Sequence, residues 1–326
     1  MPAEEKVKVY YLASGHIGIP ILKALLESKR LDIAGIGSQK RAARENAPVR
    51  SSVSPLMKYC IDNGLQVDGL AKVNTEEFRG MLRDKGVELL VVASFGQILR
   101  PELLAIPRFG CLNVHASLLP KYRGASPIVA AIYNGDSRTG VSFMEMEEGL
   151  DTGGVYRTAE LEIAADDNAA TLEEKLGILA GRNIEDVIVD IARHGLKPVP
   201  QRAEGASYAR KISKEDSWVR WERGAVEIAN MVRAYADWPS TRILLPARDG
   251  GRRMAKIIKA DPVESECPDA APGTILRADK SGIAVACGKG ALLIARLLPE
   301  GKKEMDAGDY LRGYPIPPEH PFMYEP

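Results

Sequence analysis

The run Val87-Glu-Leu-Leu-Val-Val-Ala93 holds one charged residue, Glu88, and after it no polar alternation at all. A strand with one face in water alternates apolar and polar side chains. An unbroken apolar run of this length predicts a strand covered on both faces, as strands of a parallel sheet are. That constrains the fold more than any other feature, because helices must then lie on both sides of the sheet. The preceding chain has the matching grammar. Val7–Ala13 is a second apolar run, followed at once by Ser14-Gly15-His16-Ile17-Gly18 and a helical stretch to about Lys29. Leu31–Gly37 reads as a strand, and Ser54–Asn63 and Thr75–Lys85 read as helices. Strand, glycine turn, helix and strand form the βαβ unit of an open α/β sheet.

Farther along, Cys111–Ala116 is another strand candidate and Pro127–Tyr133 opens a helix behind a proline. Gly140–Glu147 and Gly154–Ile163 read as strands joined by the turn Glu148-Gly149-Leu150-Asp151-Thr152-Gly153. Between Thr171 and His194, apolar residues recur at Leu172, Leu176, Leu179, Ile184, Val187, Ile188 and Ile191, which predicts a long amphipathic helix lying on one sheet face. Then the grammar changes. Residues 195–206, with prolines and glycines closely spaced, read as a linker between a first domain, 1–194, and a second, 207–326. The second domain has one helix, about Ala225–Tyr235. Short strands follow at Thr241–Leu245, Met254–Ala260, Gly273–Ala278, Ile283–Ala286 and Ala291–Leu298, a pattern that suggests a small β-barrel.

Composition excludes several classes of function. Hydrophobic residues make up 45% and charged residues 27%, an ordinary globular mix. No apolar run approaches the roughly 20 residues that span a bilayer, and Met1–Lys8 does not read as a signal segment. Cys60, Cys111, Cys267 and Cys287 are far apart and form no CxxC pair, so neither a disulfide framework nor a metal site is expected. The expectation is a cytoplasmic monomer with no membrane partner. The 44 basic and 44 acidic residues balance, yet Ser207–Ala260 holds 12 Lys and Arg against 6 Asp and Glu. A second basic cluster, Lys40, Arg41, Arg44 and Arg50, lies in a stretch without helix or strand pattern. Most charge runs are solvated faces. Two such clusters, one on barrel strands, also suit a polyanion.

Only four histidines are present, which narrows the search for acid–base chemistry. His194 ends the long helix, where a cation caps a helix C-terminus. His320 lies in a proline-rich tail, and His16 in the first strand-to-helix turn. His115 stands apart because it ends a short strand two residues after Asn113, so both side chains point to one side. An amide donor beside an imidazole suits acyl transfer: one donates to a developing oxyanion, the other stabilises it or moves a proton. By spacing alone, a structural hydrogen-bond network accounts for Asn-x-His equally well. Asp151 commonly would just close an Asx turn; near His115 it would orient the ring and favour its charged form. Asp151-Thr152-Gly153 also matches the aspartic-protease triplet, but that chemistry needs two such carboxylates and only one DTG is present. Ser14-Gly15-His16-Ile17-Gly18 lacks the full GxGxxG order, so a dinucleotide is not expected.

The stretch Asn113-Val-His115-Ala-Ser-Leu-Leu-Pro120-Lys-Tyr-Arg123-Gly124-Ala-Ser-Pro127-Ile128, with Gly149-Leu-Asp151-Thr-Gly153 beyond it, resembles the signature of the folate-dependent formyltransferases. The resemblance implies Asn113, His115 and Asp151 as the catalytic constellation and 10-formyltetrahydrofolate as the formyl donor. It implies that the pterin is bound by Ser94, Phe95, Gly96, Ile98 and Leu99, with Ser117, Leu118, Leu119, Pro120 and Gly149. The second half is similar to the branch of that family that acts on initiator methionyl-tRNA, through Tyr208-Ala-Arg-Lys211-Ile-Ser-Lys214-Glu215, Trp221, Ala234-Tyr-Ala-Asp-Trp238-Pro239 and Pro299-Glu-Gly301-Lys302-Lys303-Glu-Met305. It implies a Rossmann-like formyltransferase domain followed by a smaller open, OB-like β-barrel. It also implies tRNA contacts at Lys40, Arg41, Arg44, Arg50, Lys211, Arg252 and Arg253. The family's basic loop carries glycines that Gln39–Arg50 lacks. An amino-sugar N-formyltransferase acting on a nucleotide-linked sugar is the alternative implied by the shared catalytic core.

Overall fold

A computed structural model describes residues 5–40, 53–246, 252–265, 267 and 269–316. Arg41, Arg44, Arg50 and His320 fall outside these residues. In chain order the first elements are β1 (Val7–Ala13), α1 (Gly18–Glu27), β2 (Leu31–Gln39), α2 (Pro55–Asp62), β3 (Asp68–Leu70), α3 (Glu76–Asp84) and β4 (Leu89–Ala93). There follow α4 (Pro101–Leu104), β5 (Cys111–His115), β6 (Arg123–Gly124), α5 (Pro127–Tyr133), β7 (Arg138–Glu145), β8 (Val155–Glu162), α6 (Ala169–Arg193) and β9 (Tyr208–Ala209). The last are α7 (Ala225–Ala234), β10 (Thr241–Pro246), β11 (Arg252–Val263), β12 (Ile275–Asp279), β13 (Gly282–Ala286), β14 (Ala291–Pro299), β15 (Met305–Asp306) and α8 (Ala307–Gly313).

The chain forms two compact units. The first comprises residues 1–127, 138–162 and 172–209, and the second 128–137, 163–171 and 210–326. The first holds a seven-stranded sheet in the order β3-β2-β1-β4-β5-β7-β8. β3, β2, β1, β4 and β5 run parallel, while β7 and β8 are antiparallel additions on one edge. The expected strands are all present, and β3, too short to carry a pattern, joins them.

Every residue of β4 is buried, as its unbroken apolar run requires. Leu90 and Val92 join Tyr10, Leu12, Phe78 and Leu82 in a core on the α3 face. The opposite side of β1 meets α1, where the Tyr11 hydroxyl donates to the Gly18 carbonyl at 3.0 Å. On the other face Tyr10 donates to Asp68 at 2.6 Å, so both buried phenols are satisfied. Hydrogen-bond capping by Ser54 and Thr75 starts α2 and α3 where the sequence has these residues. On α6, Gly177 and Gly181 sit close to α1: a Cβ on Gly177 would lie 3.0 Å from both the Ile17 carbonyl and Pro20 Cγ. Their lack of side chains lets the two helices approach.

The second unit contains a six-stranded antiparallel sheet, β10-β11-β14-β13-β12 with β15 on β14. β11 is 12 residues long and shifts register between Ile257 and Ala260, an irregularity of the kind that bends a strand. Trp221, Ile228, Val232, Ile243, Leu245, Ile257, Ile283, Leu292, Ile294 and Tyr310 form its core. Among the described residues β10 and β12 end the ladder without pairing to each other.

Residues 195–206, expected to be a linker, belong to the first unit instead. Val199 exchanges two backbone hydrogen bonds with Val155, and β9 pairs with β6. Proline and glycine broke the helix there but did not free the chain from the sheet.

Candidate active site

Strand order reverses between β1 and β4, since β2 and β3 lie to one side and β5 to the other. Ligands in open α/β sheets bind outside the carboxyl ends of the strands at such a point. Here Ser14, just after β1, donates its N–H to the carbonyl of Ser94, just after β4, at 3.2 Å. The N-terminus of α1 opens onto this crevice, but it is already occupied: Glu173 of α6 accepts from the Ile17 N–H at 3.0 Å. The negative charge of Glu173 thus lies against the N-terminus of α1. His16 is exposed in this turn, and His194 pairs with Asp190 at 2.7 Å at the end of α6. His194 and the Arg157 guanidinium hold the Asp190 carboxyl below its usual range.

Asn113 and His115, which spacing placed on one side of a strand, lie close to Asp151, which the resemblance grouped with them. β5 pairs with β4 and β7, placing Asn113 and His115 on one side of a strand with neighbours on both edges. The β7–β8 turn folds back so that Asp151 Oδ1 lies 3.4 Å from Asn113 Nδ2 and Asp151 Oδ2 lies 3.6 Å from His115 Nδ1. His115 is 6% exposed. Its Nε2 lies 2.9 Å from the Tyr122 carbonyl, which can only accept, so Nε2 carries a hydrogen. Any second proton on the ring must therefore sit on Nδ1, facing Asp151. The carboxylate is anchored separately, because Gly124 N–H donates to Oδ2 at 2.7 Å.

The loop from Ser117 to Ser126 is folded by its own bonds. Ser117 donates to the Lys121 carbonyl at 2.6 Å, and Ser142 accepts from Leu119 N–H at 3.0 Å and donates to the Ser117 carbonyl at 2.7 Å. Ser117 is 1% exposed, so its hydroxyl shapes the loop and does not face a ligand. Ser94, Tyr122 and Asp151 have positive φ of 46°, 62° and 53°, and only Ser240 shares this among the other described non-glycine residues. Three unfavourable backbone conformations at one crevice mark a site whose geometry the surroundings enforce.

The residue the sequence reading missed is Gln201, in the supposed linker. Its Nε2 donates to the carbonyls of Asp151 and Gly153, both at 2.8 Å. Its Oε1 accepts from the Arg123 guanidinium at 3.0 and 2.8 Å. Gln201 thus ties the Asp151 turn to the loop after His115. A glutamine just after Pro200 carries no signal of this in sequence.

The folate-binding expectations divide. Ser94 and Gly96 are exposed on the loop after β4 and Phe95 is partly so, with the Ile98 side chain 75% exposed. Leu118, Leu119 and Pro120 are partly exposed, Gly149 is exposed, and Leu150 beside it is 61% exposed. Leu99 does not fit the expectation: it is 3% exposed and belongs to the core with Phe78 and Leu103, so its side chain is not offered to a ligand. Among the expected tRNA residues, Lys40, Lys211 and Arg252 are exposed, and Arg253 lies 5.3 Å from the centroid of the Tyr314 ring. Part of the excess positive charge in the second unit is used internally: Arg210 pairs with Asp216, Arg223 donates to Tyr133, and Arg233 donates to the Asp167 carbonyl at 2.8 Å. No cluster of His, Cys, Asp and Glu suited to a metal ion occurs among the described residues. No helix among them is long and apolar enough to cross a membrane.

Comparison with known proteins agrees with this architecture. The Formyl transferase family matches residues 6–188, and the Formyl transferase C-terminal domain matches residues 211–315. The methionyl-tRNA formyltransferase of Gluconobacter oxydans is 37% identical over 316 residues, covering 95% of this chain and 98% of that one. That of Myxococcus xanthus is 39% identical over 270 residues, covering 82% and 84%. Two solved structures share the fold at low identity. One is HypX from Aquifex aeolicus in complex with tetrahydrofolic acid, with a TM-score of 0.61, 15% identity, and coverage of 98% of this chain and 51% of that one. The other is the N-formyltransferase from Helicobacter canadensis in complex with folinic acid and dTDP-3-aminofucose, with a TM-score of 0.60, 16% identity, and coverage of 92% and 100%. The chain belongs to the formyl transferase family, in its methionyl-tRNA formyltransferase branch.

Proposed function

We propose that this enzyme transfers the formyl group of 10-formyltetrahydrofolate to the α-amine of methionyl initiator tRNA, with Asn113, His115 and Asp151 as its catalytic residues. The observation that carries the reading is the convergence of these three side chains beside β5, in a chain alignable over 95% of its length with a methionyl-tRNA formyltransferase. The folate supplies a carbonyl carbon already activated at N10. Its flat ring system suits the exposed apolar side chains of Ile98 and Leu150 and the loop Ser94–Gly96 after β4.

The chain's own part follows from its geometry. Asn113 Nδ2 has two hydrogens; one is turned toward Asp151, leaving the other for the oxygen that gains charge when the amine attacks the formyl carbon. His115, with Nε2–H held by the Tyr122 carbonyl, gains positive charge when Nδ1 is protonated, and Asp151 at 3.6 Å stabilises that charge. The imidazolium supports the oxyanion electrostatically and helps protonate the departing nitrogen by way of Asp151 or water, since Nε2–H is held by the Tyr122 carbonyl and Nδ1 faces Asp151. Asp151, held by Gly124 N–H, accepts the proton that the amine must lose, directly or through water. Holding two large substrates in register contributes as much as these charges.

The six-stranded sheet of the second unit is in this reading an open, OB-like barrel. It and the basic residues Lys40, Arg41, Arg44, Arg50, Lys211, Arg252 and Arg253 grip the tRNA. The enzyme acts as a monomer in the cytoplasm, where translation begins. No observation carries the nucleotide-linked sugar acceptor as a second reading. The test is to supply purified protein with 10-formyltetrahydrofolate and charged initiator methionyl-tRNA and to measure formyl-methionine. Turnover that Asn113→Ala or Asp151→Ala abolishes is the expected result; no turnover with folate still bound would overturn the acceptor.

A further inference from the structure

β9 is two residues long, and its side chains split as a strand's must. Ala209 is 5% exposed, while Tyr208 is 66% exposed. Tyr208 thus leaves most of a large aromatic side chain in water, on an unusual frame. Tyr208 pairs with Arg123 of β6 in parallel register. Ser207 N–H donates to the Pro120 carbonyl at 3.2 Å, Tyr122 N–H to Ser207 Oγ at 2.9 Å, Arg123 N–H to the Ser207 carbonyl at 2.8 Å, and Ala125 N–H to the Ala209 carbonyl at 2.9 Å.

The same loop holds the catalytic centre. The Tyr122 carbonyl positions His115, Gly124 N–H positions Asp151, and Arg123 positions Gln201. The backbone that carries the exposed ring is therefore fixed to the frame that fixes the reacting groups. Lys121, on that loop, is exposed, with its ammonium 4.7 Å from the Tyr122 ring centroid. An aromatic face and a cation on one rigid frame is the combination that binds single-stranded nucleic acid, the ring stacking a base and the cation meeting phosphate.

The amine to be formylated arrives on an aminoacyl ester of the terminal ribose, so the terminal base lies only a few bonds from the reacting nitrogen. We propose that Tyr208 is a substrate-positioning residue whose ring stacks on the base of the terminal nucleoside of the aminoacylated tRNA. The stack aims the α-amine at Asn113, His115 and Asp151. This inference rests on the methionyl-tRNA reading.

The test uses the full-length protein and uncharged initiator tRNA in two forms, one complete and one lacking the 3′-terminal nucleotide. Removing that nucleotide is expected to weaken binding to the wild-type protein about tenfold, as loss of a stacked base does, and to leave binding to Tyr208→Ala unchanged. Tyr208→Phe keeps the ring and is expected to keep the tenfold sensitivity. In formylation assays Tyr208→Ala is expected to raise KM for methionyl-tRNA about tenfold while KM for 10-formyltetrahydrofolate stays constant. Equal sensitivity of the wild type and Tyr208→Ala to the missing nucleotide overturns the inference, as does a Phe variant no better than Ala. If the wild type formylates no methionyl-tRNA, the functional reading falls and this inference with it. If it does so and the Tyr208 variants match it, this inference alone falls.

Discussion

At the scale of single residues, the chemistry depends on which oxygen is left for what. Asp151 presents one oxygen to Gly124 N–H at 2.7 Å and the other to Asn113 at 3.4 Å, a long contact that leaves the amide available to substrate. In the proposed mechanism His115→Ala removes the imidazole that supports the oxyanion. It is expected to lower kcat by two or more orders of magnitude and to leave tRNA affinity, measured by filter binding, nearly unchanged. Near-normal turnover would remove His115 from the mechanism. Gln201 acts one step back from the chemistry. Gln201→Glu keeps an acceptor for Arg123 but loses the N–H donors to the carbonyls of Asp151 and Gly153. Single-turnover kinetics are expected to show the Glu variant slowed about tenfold, on the order of one lost hydrogen bond's worth of positioning. Full activity in Gln201→Glu together with loss in Gln201→Ala would assign the role to Arg123 contact alone. Asn113 and His115 were legible because strand alternation is a local rule. Gln201 was not, since it meets Asp151 across 50 residues of sequence.

Elements are set by what packs on them. α6 showed its apolar stripe in sequence, and Leu172, Leu176, Ile184, Val187, Ile188 and Ile191 are indeed its buried face. Its glycines were not legible as contacts, because nothing in a helical pattern says which neighbour comes near. Gly177→Val places a branched side chain where even a Cβ would be 3.0 Å from the Ile17 carbonyl and Pro20. Urea unfolding is expected to show a loss of about 1–3 kcal/mol, the usual cost of overpacking. The same shift would also move Glu173 from the Ile17 N–H it serves. An unchanged midpoint would mean that α1 and α6 separate freely. Two-residue strands follow the same logic more severely. β6 and β9 show no periodicity, yet their pairing is made possible at Gly124, whose φ is +109° and whose Cβ would lie 2.8 Å from the Ala209 carbonyl.

For the whole molecule, the chain passes between the two units five times, because residues 128–137 and 163–171 belong to the second unit although flanked by the first. Inside that second unit, Tyr133 receives a hydrogen bond from Arg223 and Asp167 one from Arg233. Such interleaving predicts that neither unit unfolds alone, and the cysteines can report it. Cys60 and Cys111 are buried in the first unit and Cys287 in the second, while Cys267 is exposed. Burial pushes the Cys111 and Cys287 thiols up to about 12, which suppresses the reactive thiolate. Pulsed alkylation along a urea series is expected to label Cys267 in the native protein and the other three at one common midpoint; separate midpoints would show independent units. The sequence by itself determined the layered α/β class, the longer strands and helices in their order, the placing of Asn113 and His115 on one side of a strand, and a second half built mainly of short strands. Each of these is written in apolar period, turn residues and spacing within a few residues, where backbone geometry leaves few choices. Tertiary structure alone decided that a proline-rich stretch closes on the site, that Leu99 turns into the core, and that Ser207–Ala209 is stitched to a loop 85 residues earlier. Those outcomes depend on which distant surfaces satisfy one another's hydrogen bonds and apolar area, and that competition is settled only when the whole chain has packed.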